Sequence, residues 1–316
     1  HREDAILFST GMLVNWGVIP ALSNPPLQRL LADLGMDHSI GSVTLFIDEL
    51  SHACILDGAS LAMRSLWGGH ARVRIYRHID MADLQEELEG SESEIKMILT
   101  DGVFSIHGHV APLPEIIRLA HEHHASVYVD DAHGTGVLGP TGRGTAEMFG
   151  VDGDIDIPVG TLSKAFAGAG GFVVGDKDFC DYLRISCRTY LFQTAMPPSV
   201  AGGLIAAIDV SEAESWRRER VLTNATRVRQ ALESLGFSTV GSNHHIVPVL
   251  IGDETTAIKI ADELKQAGVL VGCIRKPAVP MGEAILRCNM MATHTEEQLD
   301  RLVTSLQRLG HKYRLI

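Results

Sequence analysis

Residues 113–136 read LPEIIRLAHEHHASVYVDDAHGTG, and the change of rhythm inside them decides the fold. The first half carries apolar residues at helical spacing, while ASVYVDD is a short β-rich run that ends in acids, a histidine and glycines. A helix feeding a strand whose far end opens into a polar, glycine-containing loop is the repeating unit of an α/β chain. The rhythm recurs in AILFST, VTLFID, ARVRIY, IKMILTDG, IDIPVGT and GGFVVGD, so seven candidate strands lie before residue 176. Several are apolar enough to be covered on both faces, which predicts a mainly parallel sheet between helices. Only a short loop joins IDIPVGT to GGFVVGD, so one antiparallel edge pairing is expected there.

From about residue 211 the texture changes. A charged helical stretch, SEAESWRRERVLTNATRVRQALESLG, leads to HHIVPVLIG, a helix, AILRCNM and a last helix from about Thr295. Two domains follow: a large one over residues 1–210 and a smaller α+β one over 211–316. With 316 residues, 45% of them hydrophobic, the chain can bury a substantial core. Its formal charge of −12 argues against a general nucleic-acid binder, although Arg64, Arg72, Arg74 and Arg77 cluster locally. Five cysteines without a C-x-x-C pair indicate a reduced, intracellular protein. No run of about 18 apolar residues and no signal peptide is present, so a cytoplasmic location is expected. The start at HREDAILFST, already on the approach to a strand, suggests a truncated chain.

In open α/β sheets, ligands collect at the carboxyl ends of strands, and the chemical groups of this chain sit there. FSTGMLVN places Ser9, Thr10 and Gly11 before a helix, an arrangement that can hold phosphate. LTDGVFS supplies Asp101 and Ser105, and VYVDDAHGTG supplies Asp130, Asp131 and His133. VGTLSK ends a strand on Thr161, Ser163 and Lys164, the last being the lone charge in IPVGTLSKAFAGAGG (157–171). If buried, that amine has a lowered pKa and is nucleophilic; otherwise it is a loop lysine reaching water along its stem. Pyridoxal phosphate is a cofactor that uses a phosphate site, an acid at its ring nitrogen and a Schiff-base lysine together. The histidines at 121, 123, 124, 244 and 245 are expected at solvent positions, because no acid or cysteine is spaced to complete a zinc site. No metal is expected, and Cys54 reads as a packed cysteine beside His52.

Over nearly its whole length the sequence resembles the α-oxoamine synthases, a family of fold-type I pyridoxal-phosphate enzymes. The resemblance rests on STGMLVN, DELSHACILDGA, DGVFSIHGHVAPL, VDDAHGTGVLGPTGRG, GTLSKAFAGAGG, FQTAMPPS and IRKPAVP followed by LRCNMMATHT, in that order. It implies Lys164 as Schiff-base lysine and base, Asp130 at the pyridinium nitrogen, and His52 stacked on the ring. His133 and Ser105 would lie about the phenolic oxygen, with Gly11, Met12 and Thr161 at the phosphate. Thr194 would be donated by a neighbouring subunit, which makes a homodimer with shared active sites the expected assembly. Arg287, with Arg275 as a helper, would hold the amino-acid carboxylate. The implied reaction is a decarboxylative condensation of glycine, alanine or serine with an acyl thioester carried by CoA or an acyl carrier protein, giving an aminoketone. Aminotransfer, aldol cleavage and a non-catalytic role in a heterodimeric synthase are the alternatives. The chain departs from the family in His107-Gly108-His109, in Asp101, in an apparent insertion over residues 25–42, and in lacking the family's N-terminal segment.

Overall fold

The computed structural model describes residues 2–23, 41–64, 71–241 and 244–316. The insertion expected over residues 25–42 therefore lies outside the described residues except for its last two. The chain divides into two compact units, His1–Phe104 with Ala111–Ala213, and Ser105–Val110 with Glu214–Ile316.

The first unit runs β1 (Asp4–Phe8), α1 (Gly11–Ser23), β2 (Val43–Asp48), α2 (Ala53–Met63), β3 (Arg72–Tyr76), α3 (Met81–Glu89), β4 (Ile95–Asp101), α4 (Leu113–Glu122), β5 (Ala125–Asp130), α5 (Thr145–Phe149), β6 (Ile157–Thr161), β7 (Gly171–Gly175), α6 (Lys177–Ser186), α7 (Arg188–Leu191) and α8 (Pro198–Ala213). Its strands form one seven-stranded sheet in the order β1-β7-β6-β5-β4-β2-β3. Strands β2 to β6 pair in parallel, as their apolar runs predict. The antiparallel strand, however, is not at the edge. β7 turns back from β6 and pairs with it, and its other side is taken by β1, Asp4 opposite Gly175 through Phe8 opposite Gly171. β1 is thereby the edge strand and runs in the sense of the parallel set.

Alternation along the strands divides the core into two layers. Leu45 and Ile47 of β2, Met97 and Leu99 of β4 and Tyr128 of β5 pack on one face with Val14 and Val18 of α1, Ile55 of α2 and Leu183 of α6. Phe46, Ile98, Val127 and Val129 point to the other face, against Leu84 and Leu88 of α3 and Ile116 and Ile117 of α4. Each fully buried side chain of this size contributes roughly 1.5–3 kcal/mol. Helix starts follow their caps: Asp80 accepts from Ala82 N and Asp83 N before α3, and Asp176 accepts from Phe179 N before α6.

The second unit contains α9 (Trp216–Ser234), β8 (Ile246–Gly252), α10 (Glu254–Gln266), β9 (Gly272–Ile274), β10 (Ala284–Asn289) and α11 (Glu296–Tyr313), with an antiparallel sheet ordered β8-β10-β9. Val221, Ala225, Val228 and Leu232 of α9 and Leu299, Leu302, Leu306 and Leu309 of α11 are buried at helical spacing. Thr295 starts α11 with a capping box to Gln298. Among the described residues no helix is long and apolar enough to cross a membrane.

Candidate functional site

The parallel strands of the first unit deliver Asp48, Asp101, Asp130 and Thr161 to one end of the sheet, the last residues of β2, β4, β5 and β6. Asp101 and Asp130 are register partners on adjacent strands, and both are buried. Burial, reinforced by the Asp130 charge, pushes the Asp101 carboxyl well above the usual carboxylate range, against the pull of the His52 N–H and the Lys164 ammonium. His52 N donates to Asp101 Oδ2 at 2.8 Å, which fixes the start of α2 over the end of β4.

Asp130 is held on both oxygens. Ala132 N donates to Oδ1 at 3.1 Å, and Asn15 Nδ2 donates to Oδ2 at 2.8 Å. Asn15 lies on the buried face of α1 and was not singled out from the sequence. The only sequence signal for it is a polar residue on a helix otherwise rich in apolar residues. Cys54 packs beside it, as expected, and burial pushes its thiol up to about 12. His52, by contrast, is exposed and caps α2, its Nδ1 accepting from Cys54 N at 3.2 Å.

The end of β6 meets the start of α1. A Cβ on Gly11 would stand 3.2 Å from Thr161 Oγ1, a tight contact that would push the helix end and the strand end apart by a few tenths of an ångström. Thr161 Oγ1 lies 2.8 Å from Ser163 Oγ, and Thr10 Oγ1 accepts from Leu13 N at 3.2 Å. Met12 follows at the exposed first turn. Lys164 is exposed, so of the two readings open for it, a buried amine and a loop lysine that reaches water, the second describes the loop. Its charge still acts on Asp101 and Cys54.

His133 is half-buried in the loop after β5. That loop is anchored by Asp131, whose Oδ1 and Oδ2 accept from Thr145 Oγ1 at 2.6 Å and Thr145 N at 2.8 Å. Thr194 is exposed; its backbone oxygen accepts from Ser9 Oγ at 3.3 Å, while Gln193 Oε1 accepts from Ser9 N at 2.7 Å.

Ser105, Arg275 and Arg287 belong to the second unit. Ser105 is half-buried and Arg275 exposed. Arg287 sits on β10 with a buried Nε that has no hydrogen-bond partner, and burial lowers its pKa. His244, expected at solvent, is buried instead: Nε2 lies 2.6 Å from Gly108 O, and Nδ1 accepts from Ile246 N at 3.3 Å. The strand β8 begins two residues later, so its first turn inward carries the ring with it. Of the locally clustered arginines, Arg74 is matched by Glu87 and Gly90 O, and Arg77 by Asp80 and Asp83.

Residues 1–306 match the family described as aminotransferase class I and II. The chain is 39% identical to an 8-amino-7-oxononanoate synthase of Symbiobacterium thermophilum, covering 100% of this chain and 75% of that protein. It is also 39% identical to a serine palmitoyltransferase of Bacteriovorax stolpii, over 96% of this chain and 67% of that one. A solved structure described as SPT with its pyridoxal phosphate internal aldimine superposes with a TM-score of 0.88, at 33% identity, over 99% of this chain and 74% of that one.

Proposed function

The chain belongs to the aminotransferase class I and II family and, within it, to the α-oxoamine synthases among fold-type I pyridoxal-phosphate enzymes, and from this we propose residue roles for the condensation of a small amino acid with an acyl thioester. It is a pyridoxal 5′-phosphate-dependent acyltransferase. The observation that carries the assignment of roles is the buried Asp130 carboxylate, held on both oxygens at the strand end next to the one that leads to Lys164. The residues present fit the cofactor. The close approach of Gly11 to Thr161 brings helix N–H groups and two hydroxyls to one place, which suits a phosphate dianion. The fixed carboxylate of Asp130 suits a protonated ring nitrogen.

When bound, pyridoxal phosphate supplies an electron sink for the pair left when the α-C–H bond of an attached amino acid breaks. Lys164, on an open loop, would hold the cofactor through its amine and would serve as the base for the α-proton. Asp130 would keep the ring nitrogen protonated, His52 would serve the ring face, and His133 and Ser105 are the residues that the family resemblance assigns to the phenolic oxygen. Gly11, Met12 and Thr161 hold the phosphate. Arg287, whose buried Nε is unmatched, takes the amino-acid carboxylate, with Arg275 as its helper. The balance is one acyl thioester and one amino acid in, and one aminoketone, one CO₂ and one free thiol out. The active unit is a homodimer that shares its sites through Thr194, working in the cytoplasm, a reading supported by five free cysteines.

The test is turnover of glycine, alanine and serine, each with acyl-CoA, followed by CO₂ and thiol release together with visible absorption of the bound cofactor. One amino acid is expected to give equal amounts of CO₂ and thiol, and Lys164→Ala to abolish both the lysine-linked absorption and turnover. Full absorption in Lys164→Ala would remove Lys164 from its role, and thiol release without CO₂ would exclude the condensation.

A further inference from the structure

Five side chains at the proposed ring site form a continuous hydrogen-bonded network. Tyr128 OH lies 2.7 Å from Asn15 Oδ1; Asn15 Nδ2 lies 2.8 Å from Asp130 Oδ2 and 3.2 Å from Cys54 Sγ; Cys54 Sγ lies 2.8 Å from His52 Nδ1. Asn15 is 1% and Cys54 6% exposed, so water does not compete for the bonds that Asn15 makes to Tyr128, Asp130 and Cys54.

The direction of the bonds can be followed from one neighbour to the next. Asp130 accepts, so the amide nitrogen of Asn15 faces it and the amide oxygen faces Tyr128. Burial raises the Tyr128 phenol well above its ordinary range, so it remains a donor toward that oxygen. The second Asn15 N–H is then shared between the Cys54 sulfur at 3.2 Å and Gly11 O, one helical turn back, at 3.3 Å. At the far end, the backbone N–H of Cys54 donates to His52 Nδ1 at 3.2 Å, and a backbone amide can do nothing else. Nδ1 therefore carries its lone pair, and the short contact from Cys54 Sγ is an S–H donated to it. A thiol raised to about 12 is protonated throughout the physiological range, so that donor is always present. The ring proton is left on Nε2.

We propose that Asn15 and Cys54 are positioning residues that couple the orientation and tautomer of the His52 ring to the Asp130 carboxylate. The proposal rests on the roles assigned above to Asp130 and His52. Neither Asn15 nor Cys54 reacts. Their work is to make the acid proposed for the ring nitrogen and the imidazole proposed for the ring face two ends of one assembly, so that a disturbance at either is felt at the other. Asp101 joins the same assembly from the other side through the His52 backbone N–H. The arrangement also makes Cys54 chemically quiet: a buried, protonated thiol with both its hydrogen and its lone pair engaged is a poor nucleophile.

The test reads the ring nitrogens of His52 directly, by nitrogen-15 NMR on histidine-labelled holoenzyme, with His52→Gln to assign the signals. The wild type is expected to show a bare Nδ1 and a protonated Nε2. Cys54→Ser, which keeps a donor, preserves that pattern; Cys54→Ala shifts the Nδ1 signal. The decisive variants are Asn15→Leu and the gentler Tyr128→Phe, because neither residue touches His52 and both are expected to move its Nδ1 signal. Pyridoxal-phosphate affinity gives a second readout. Asn15→Leu and Cys54→Ala each weaken binding by roughly 10-fold, and the double variant is no worse than the weaker single one, the non-additivity of groups acting as a unit. A protonated Nδ1 in the wild type overturns the proposal, and so do His52 signals blind to both Asn15→Leu and Tyr128→Phe, or strictly additive losses of affinity. Failure of the synthase reading looks different: the protein would then bind no pyridoxal phosphate or turn nothing over, while the NMR pattern in the purified protein still reports on the coupling.

Discussion

Asp131 and His244 are buried side chains whose acidities move in opposite directions. Burial pushes Asp131 up to about 7 despite the donors of Thr145. Between the ordinary value of 3.8 and about 7 the native protein keeps a proton that the unfolded chain has lost, so this residue makes stability fall as pH rises through that window. Burial pushes His244 down to about 4, against the pull of the Gly108 carbonyl and with Arg229, Arg287 and His109 adding positive charge nearby. Between 6.5 and about 4 the unfolded chain gains a proton that the native ring refuses, so stability falls as pH drops through that window. The two slopes oppose each other and sit in different units. Hydrogen exchange read separately in each unit across pH 4–7 is expected to show protection declining toward acid in the second unit and toward neutrality in the first. His244→Gln should flatten the former and Asp131→Asn the latter. A parallel response of both units in the wild type would contradict the assignment.

At the scale of elements, the sequence made the seven strands of the sheet readable because most are apolar runs bounded by turn residues, and the acids and hydroxyls at their ends pointed to the site. Three features were not readable. β9 is only Gly-Cys-Ile, too short for any periodicity, and β1 pairs with a strand more than 160 positions away, which no local pattern reveals. The charged stretch after residue 211 also hid a break between α8 and α9. Within the site, Asn15 was missed because one amide on an apolar helix reads as a tolerated exception until its partners are seen. The exposure of Lys164 was left open by the sequence because small neighbours suit an open loop as well as a closed pocket. The start of α5 shows what such neighbours can enforce. Gly144 has φ +103°, and a Cβ there would fall 1.6 Å from Asp131 Oδ2. Gly150, at the other end of α5, has φ +70° with nothing within 4 Å. Both need a left-handed backbone, but only the first also needs the space. Gly150→Ala is expected to cost about 1 kcal/mol, and Gly144→Ala about 3 kcal/mol or more together with displacement of the Asp131 loop. Urea denaturation at fixed pH checks the order, and equal costs would mean that the Asp131 contact is not rigid.

For the whole molecule, the first unit leaves an apolar surface uncovered within the chain. Ile185 at the end of α6, Leu191 of α7, the following Phe192, and Ile205 of α8 are 75%, 54%, 70% and 63% exposed, and Leu204 is the one buried residue of α8. Exposed apolar side chains of this size suit contact with another protein, and Thr194, two positions after Phe192, is exposed as well. A twofold dimer using this face would carry Thr194 toward the site of the second copy, while the Ser9 contact holds its backbone in its own chain. Mixed dimers separate the two possibilities. When Lys164→Ala and Thr194→Ala chains pair at random, half the dimers are mixed, and if Thr194 acts across the interface each mixed dimer keeps one intact site. Turnover about a quarter of wild type is then expected above the two parent variants. If Thr194 serves only its own chain, each site in a mixed dimer carries one of the two lesions and mixing recovers nothing. Recovery therefore assigns Thr194 to the partner's site, and its absence in proteins shown to have exchanged subunits confines Thr194 to its own.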